Sequence, residues 1–127
     1  MSRLRHPVAV ARGLGSAKDG VSHWWAQRIS AVALVFLVPW FLATAVSLIG
    51  VDAANARMLL SDPMNATLML AFVLAMMWHA RLGLQVVIED YIHTAWLELT
   101  LQLLVKFAYA LAALASVVAI GRIVFTA

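Results

Sequence analysis

Cysteine is absent from all 127 residues. This excludes disulfides, thiolate metal centres and any iron–sulfur cluster held by this chain alone. Charge is scarce: 12% of the residues are charged against 65% hydrophobic, far less polar surface than a soluble domain of this length needs. A signal peptide is not expected. The first apolar run begins only at Ile29, is too long for a signal h-region, and no small-residue cleavage pattern follows it. The formal charge of +3 does not point to nucleic acid, because the basic residues gather near one end of the apolar runs rather than along a surface stripe.

What is abundant is long hydrophobic sequence. Three runs, residues 29–49, 66–88 and 97–125, each have about 20 residues or more. That is enough to cross a hydrocarbon core of about 30 Å at about 1.5 Å per residue. Backbone inside a bilayer must satisfy its own hydrogen bonds, so the runs are expected to be helices. The expectation is an all-α membrane protein. A tail of residues 1–22 precedes a three-helix, up-down-up transmembrane domain of residues 23–127.

Arg3, Arg5, Arg12, Lys18 and Arg28 precede or open the first run, whereas the loop after it has only Arg57 beside Asp52 and Asp62. The excess of positive charge places the N-terminus in the cytoplasm, or in the matrix of a mitochondrion. Trp24, Trp25, Tyr91 and Trp96 fit an aromatic belt on that side, and Lys106, about two turns into the third run, can snorkel back to it. The segment up to Gly20 reads as an irregular tail, with Asp19 or Ser22 capping the first helix. Pro39 is expected to kink that helix and Asp62-Pro63 to start the second. Ala110, Ala112, Ala113, Ala115 and Ser116 offer a small-residue surface for close packing.

Chemistry concentrates around His79, an ionisable residue near the middle of the second run and so a functional candidate. At about 100° per residue, Val86 and Asp90 share its stripe, with Gly83 beside it, and Asp90 stands about 16 Å along the axis, at the boundary. Gly83 leaves room for a flat group such as a porphyrin, or permits close helix packing. For His79 the alternatives are haem ligation and a plain interhelical hydrogen bond. His6, His23 and His93 fall outside the apolar runs, so a second histidine ligand would come from another chain. Asp90 and Tyr91 have the chemistry to relay protons to, and hydrogen-bond, a quinone carbonyl, although such residues are also common at helix ends. Glu89 is expected to be solvated or paired. Arg28 suits a carboxylate or a quinone oxygen, or is simply an interfacial charge. Arg81 lies about 200° from His79 and must snorkel, pair, or face a partner.

The segment His79–Tyr91 (HARLGLQVVIEDY) resembles the signature of the hydrophobic membrane-anchor subunit of succinate dehydrogenase, the D-type subunit of complex II. It has a histidine, a glycine four residues on, a central glutamine, and Asp-Tyr eleven and twelve residues on. The segment His23–Ser30 (HWWAQRIS) is similar to the start of that family's first helix, with its arginine at Arg28. The resemblance implies pairing with a C-type membrane anchor (a cytochrome b subunit), one shared haem b and a ubiquinone site, with a flavoprotein and an iron–sulfur subunit docked on the cytoplasmic or matrix face. It makes His79 an axial haem ligand, places Tyr91 and Asp90 in the quinone site, and sets Arg28 near the quinone or a haem propionate. Arg81 is not part of the pattern. Succinate itself would be oxidised on a partner, since this chain has neither cysteines nor a dinucleotide fingerprint.

The expected function is therefore the anchor of succinate:quinone oxidoreductase in a bacterial inner membrane; a mitochondrial inner membrane is the second choice. A haem-b anchor of fumarate reductase, a small proton-coupled transporter and a purely structural anchor are the rival readings.

Overall fold

A computed structural model describes residues 7–8 and 17–126, with side chains in the main body from Gly20 onward. From Ala17 onward four helices follow one another among the described residues: α1 (Ala17–Ser47), α2 (Ala53–Ser61), α3 (Pro63–Tyr91) and α4 (Ala95–Thr126). No strand occurs among the described residues. Three helices are long and apolar enough to span a membrane, over Gly20–Ser47, Pro63–Tyr91 and Ala95–Thr126. The three expected spans are present, each longer than its apolar run.

α1 begins well before Ile29. Ser22 and Asp19 therefore fall within the helix rather than at its start, and Trp24, Trp25 and His23 belong to the helix rather than precede it. His23 accordingly falls within a span, contrary to the sequence reading. Most of the expected irregular tail lies outside the described residues. The helix continues through Pro39 without interruption, as membrane helices permit. It unwinds at Leu48–Gly50, where Gly50 adopts a positive φ of 78°, a conformation open to glycine at little cost.

α2 was not foreseen. Asp52 caps it: one carboxylate oxygen accepts from the Asn55 backbone N–H at 3.5 Å and the other from the Asn55 side-chain amide at 2.5 Å. The Asp62-Pro63 start of α3 is as expected. The Asp62 carboxylate accepts from the backbone N–H groups of Met64 and Asn65 at 3.1 and 3.2 Å, satisfying two of the donors a helix leaves unpaired at its N-terminus. At the far end, the Ile92 N–H donates to the Ile88 carbonyl at 2.9 Å, and residues 92–94 turn the chain directly into α4.

α3 is the central helix. α1 packs on one side of it and α4 on the other, and α1 and α4 do not pack on each other among the described residues. Most of the buried side chains are on α3: Ala66, Phe72, Leu82 and Ile88. α1 contributes buried Ser30 and Thr44, and Phe41 of α1 stacks on Phe72 with centroids 4.3 Å apart and planes 10° from parallel. No side chain of α4 is buried. Much of the apolar surface is thus turned outward, as suits lipid and neighbouring membrane subunits.

Candidate functional site

Where α1 and α3 face each other, His79 is held at both ring nitrogens. Its Nδ1 lies 2.9 Å from the Ser30 hydroxyl oxygen. Its Nε2 lies 3.4 Å from the side-chain amide nitrogen of Gln27. The Ser30 hydroxyl also lies 3.0 Å from the Gln27 backbone carbonyl, to which it donates. With its hydrogen committed there, Ser30 accepts from Nδ1–H, Nε2 carries the lone pair, and the Gln27 amide donates to it. Turning the Gln27 amide over would reverse the sense of this relay and put the proton on Nε2. Of the two senses, only the first leaves Nε2 able to ligate a metal.

This arrangement suits an imidazole ligand. The Nδ1 side has a short, fixed partner on a neighbouring helix, which orients the ring. The Nε2 side has only a long contact from a flexible amide whose own oxygen is buried without a partner. One turn along, a Cβ built on Gly83 would meet nothing within 4 Å, so Gly83 does not serve close packing within this chain. In the chain by itself, His79 also makes the interhelical hydrogen bond weighed as its alternative role. The two are compatible, because the bond uses Nδ1 and ligation would use Nε2.

Ser30 and Gln27 received no role from sequence. Both stand in the motif around Arg28, and their spacing of three residues puts them on one face of α1. What makes them functional candidates is a partner on another helix. Arg28 does not join them: its guanidinium lies 5.3 Å from the centre of the Trp24 ring, one turn back along α1. The His23 Nε2 is buried and unpartnered, seven residues, or about 10 Å of helix, before Ser30. His79 therefore has no second histidine at its own depth among the described residues, while His6 lies outside them.

Asp90 and Tyr91 end α3, both exposed, with Tyr91 77% accessible. No hydrogen bond or ion pair joins either side chain to Arg28 or to His79 among the described residues. Trp96 is similarly open at 71%. Glu89 accepts from the Gln85 side-chain amide at 2.9 Å, the pairing that was one of its two expected states. Arg81 lies away from His79, on the α4 side, with its guanidinium 4.7 Å from the centre of the Trp78 ring.

Comparison with known proteins agrees with this architecture. The family described as succinate dehydrogenase/fumarate reductase transmembrane subunit matches residues 2–119. A succinate dehydrogenase hydrophobic membrane anchor subunit from Rickettsia bellii is 38% identical over 117 residues, covering 92% of this chain and 94% of the relative. A protein of the same description from Paracoccus denitrificans is 34% identical over 116 residues, covering 91% and 89%. A succinate dehydrogenase membrane anchor subunit from Reclinomonas americana is 33% identical over a shorter stretch, 60% of this chain and 66% of the relative. With its three long apolar helices and with relatives aligned over nearly its whole length, this chain belongs to the succinate dehydrogenase/fumarate reductase transmembrane subunit family.

Proposed function

We propose that this chain is the D-type anchor of a succinate:quinone oxidoreductase, and that it co-ligates a haem b through His79 and forms part of the ubiquinone-reduction site through Tyr91 and Asp90. The observation that carries the haem assignment is the fixed imidazole: Ser30 holds Nδ1 at 2.9 Å, leaving Nε2, met within this chain only by the Gln27 amide at 3.4 Å, as the ligand atom. The names of the relatives support the complex, and the match between His79–Tyr91 and the family signature supports the site.

In this reading a second haem ligand would come from a C-type anchor subunit packed against the open faces of α1 and α3. An iron–sulfur subunit delivers electrons and a flavoprotein oxidises succinate. The haem, when bound, supplies a one-electron relay within the membrane. The residues of this chain do the rest. Ser30 orients the His79 ring and, with its own hydrogen on the Gln27 carbonyl, accepts from Nδ1–H. Tyr91 donates a hydrogen bond to a quinone oxygen, which favours negative charge developing there. Asp90, exposed beside it at the helix end, passes protons from water to that site. Arg28, two residues before Ser30 on α1 and so near the depth of His79, supplies positive charge for a propionate or the quinone. The tail and Arg28 face the cytoplasm of a bacterial inner membrane, in keeping with the positive charge before α1. The family description spans both succinate oxidation and fumarate reduction; the named relatives favour the former.

The test is a reduced-minus-oxidised visible spectrum of the detergent-purified complex, wild type beside His79→Ala. The b-type band present in wild type should be lost or shifted in the variant while the subunits still co-purify. An intact wild-type complex without any haem band would refute the haem assignment.

A further inference from the structure

Arg81 is left unexplained by a quinone or haem site. It lies on the face of α3 away from His79, its guanidinium is stacked on Trp78, and its Nε is buried without a hydrogen-bond partner. It lies ten residues before Tyr91 (91 − 81), about 15 Å along α3. The 29 residues of α3 rise about 43 Å, some 13 Å more than a hydrocarbon core of about 30 Å. With the excess shared between the ends, the Arg81 backbone lies about 8 Å below the hydrocarbon boundary. A cation there is costly unless its charge is met.

Lys106 of α4 stands at the same depth. It is eleven residues after Ala95 (106 − 95), about 16 Å along its helix and nearer three turns than the two expected. Arg81 and Lys106 line one cavity of about 260 Å³ between α3 and α4, together with Trp78, Tyr109, Leu74 and Met77. Among the described residues, no carboxylate lines it. Lys106 also borders a neighbouring cleft containing Glu89 and Glu98, but makes no ion pair with either among the described residues. Two like charges share a low-dielectric cavity, where they repel unless an anion lies between them.

The surroundings say which anion. α4 buries none of its side chains, and Leu103, Phe107, Leu111 and Leu114 are exposed along it, as on a lipid-facing helix. Both long cationic side chains can snorkel toward the boundary. The indole and phenol are amphipathic groups of the kind found at headgroup level, and Leu74 and Met77 give the cavity an apolar wall. We infer that Arg81 and Lys106 bind the phosphate of an anionic phospholipid in the α3–α4 cleft, with one acyl chain against Leu74 and Met77. The site is on the opposite side of α3 from His79, so it does not depend on haem or quinone binding.

The test uses the whole complex, delipidated in detergent and returned to nanodiscs of phosphatidylcholine containing a minor fraction of phosphatidylglycerol. Native mass spectrometry then counts the lipids retained on release. Wild type should hold phosphatidylglycerol in preference to phosphatidylcholine. Occupancy should fall about tenfold or more for each cation removed in Arg81→Gln and Lys106→Gln, and Arg81→Lys should restore part of it. If the Arg81 variants do not assemble, Lys106→Gln, at an exposed position, carries the test. Equal retention by wild type and variants would overturn the site. So would displacement of the lipid by inorganic phosphate alone, which would mark a free-anion site, or loss of a neighbouring subunit with lipid unchanged, which would mark pairing with a protein carboxylate.

Discussion

The Ser30 hydroxyl oxygen of α1 and the Nδ1 of His79 on α3 are 2.9 Å apart, and the same hydroxyl turns back 3.0 Å to the Gln27 carbonyl. One serine thus ties the candidate ligand to the backbone of another helix. Removing such a partner of a ligating histidine typically lowers metal affinity by about 10–100-fold. Ser30→Ala should therefore weaken haem retention by about that factor, and should raise the haem midpoint potential, because an imidazole that no longer donates from Nδ1 is a poorer electron donor to iron. Ser30→Thr keeps the hydroxyl and should behave as wild type. A potentiometric titration of the purified complex reads this directly, and an unchanged potential in Ser30→Ala would remove Ser30 from the role.

Tyr91 ends α3 and is 77% exposed, so its hydroxyl holds up nothing within this chain. Tyr91→Phe should leave assembly and the haem spectrum intact while slowing quinone reduction by about tenfold, the worth of one hydrogen bond to a developing charge. Succinate-driven reduction of a soluble quinone analogue, beside succinate oxidation with an artificial acceptor, separates the two steps. Equal slowing of both reactions would mean that Tyr91 matters for structure instead.

Asp62 accepts from two backbone donors at the start of α3. Replacing it with alanine should destabilise the subunit by about 1 kcal/mol, seen as a lower Tm in detergent. Asp62→Asn should lose less. No change in Tm with Asp62→Ala would mean that water caps this helix equally well.

The hydrogen bond from the Asn55 side-chain amide holds the Asp52 carboxyl below its ordinary value, with bonds from the Asn55 and neighbouring backbone N–H groups acting in the same direction. A carboxyl whose pKa is lowered by folding contributes stability above its unfolded pKa and loses it as pH falls through the folded value. The start of α2 should therefore loosen in acid, below about pH 4. Amide hydrogen exchange across residues 53–61 should show protection falling in that range, and Asn55→Ala should move the transition to higher pH. Exchange that is flat with pH would show that the cap carries no charge-dependent stability.

Much of the fold could be read in advance because the bilayer permits so few solutions: long apolar runs with few charges must be helices, and Asp62-Pro63 marks a start by chemistry that acts over three residues. The errors lie where signals are weak or contacts are distant. α2 is nine residues of small, apolar and polar side chains, with no apolar run to mark it. α1 extends earlier than expected because His23, Gln27 and Arg28 dilute its hydropathy without breaking the helix. His79 stood out as a polar residue inside an apolar run. Ser30 and Gln27 did not, because what distinguishes them is proximity to a residue about fifty positions away, and helical periodicity carries no information about that.

The central position of α3 also bears on how the chain is made. Among the described residues, each long helix packs against long helices only where they are its neighbours in sequence. Neither long interface requires a segment to wait for a distant one, so the chain can be laid into the bilayer as two successive hairpins. The first hairpin closes the Ser30–His79 bond, so the membrane receives a histidine already provided with a partner. The second, α3 with α4, adds the outer helix. Biogenesis of this subunit thus needs no long-range search within the chain, and the slow encounter left to it is with its neighbours in the membrane.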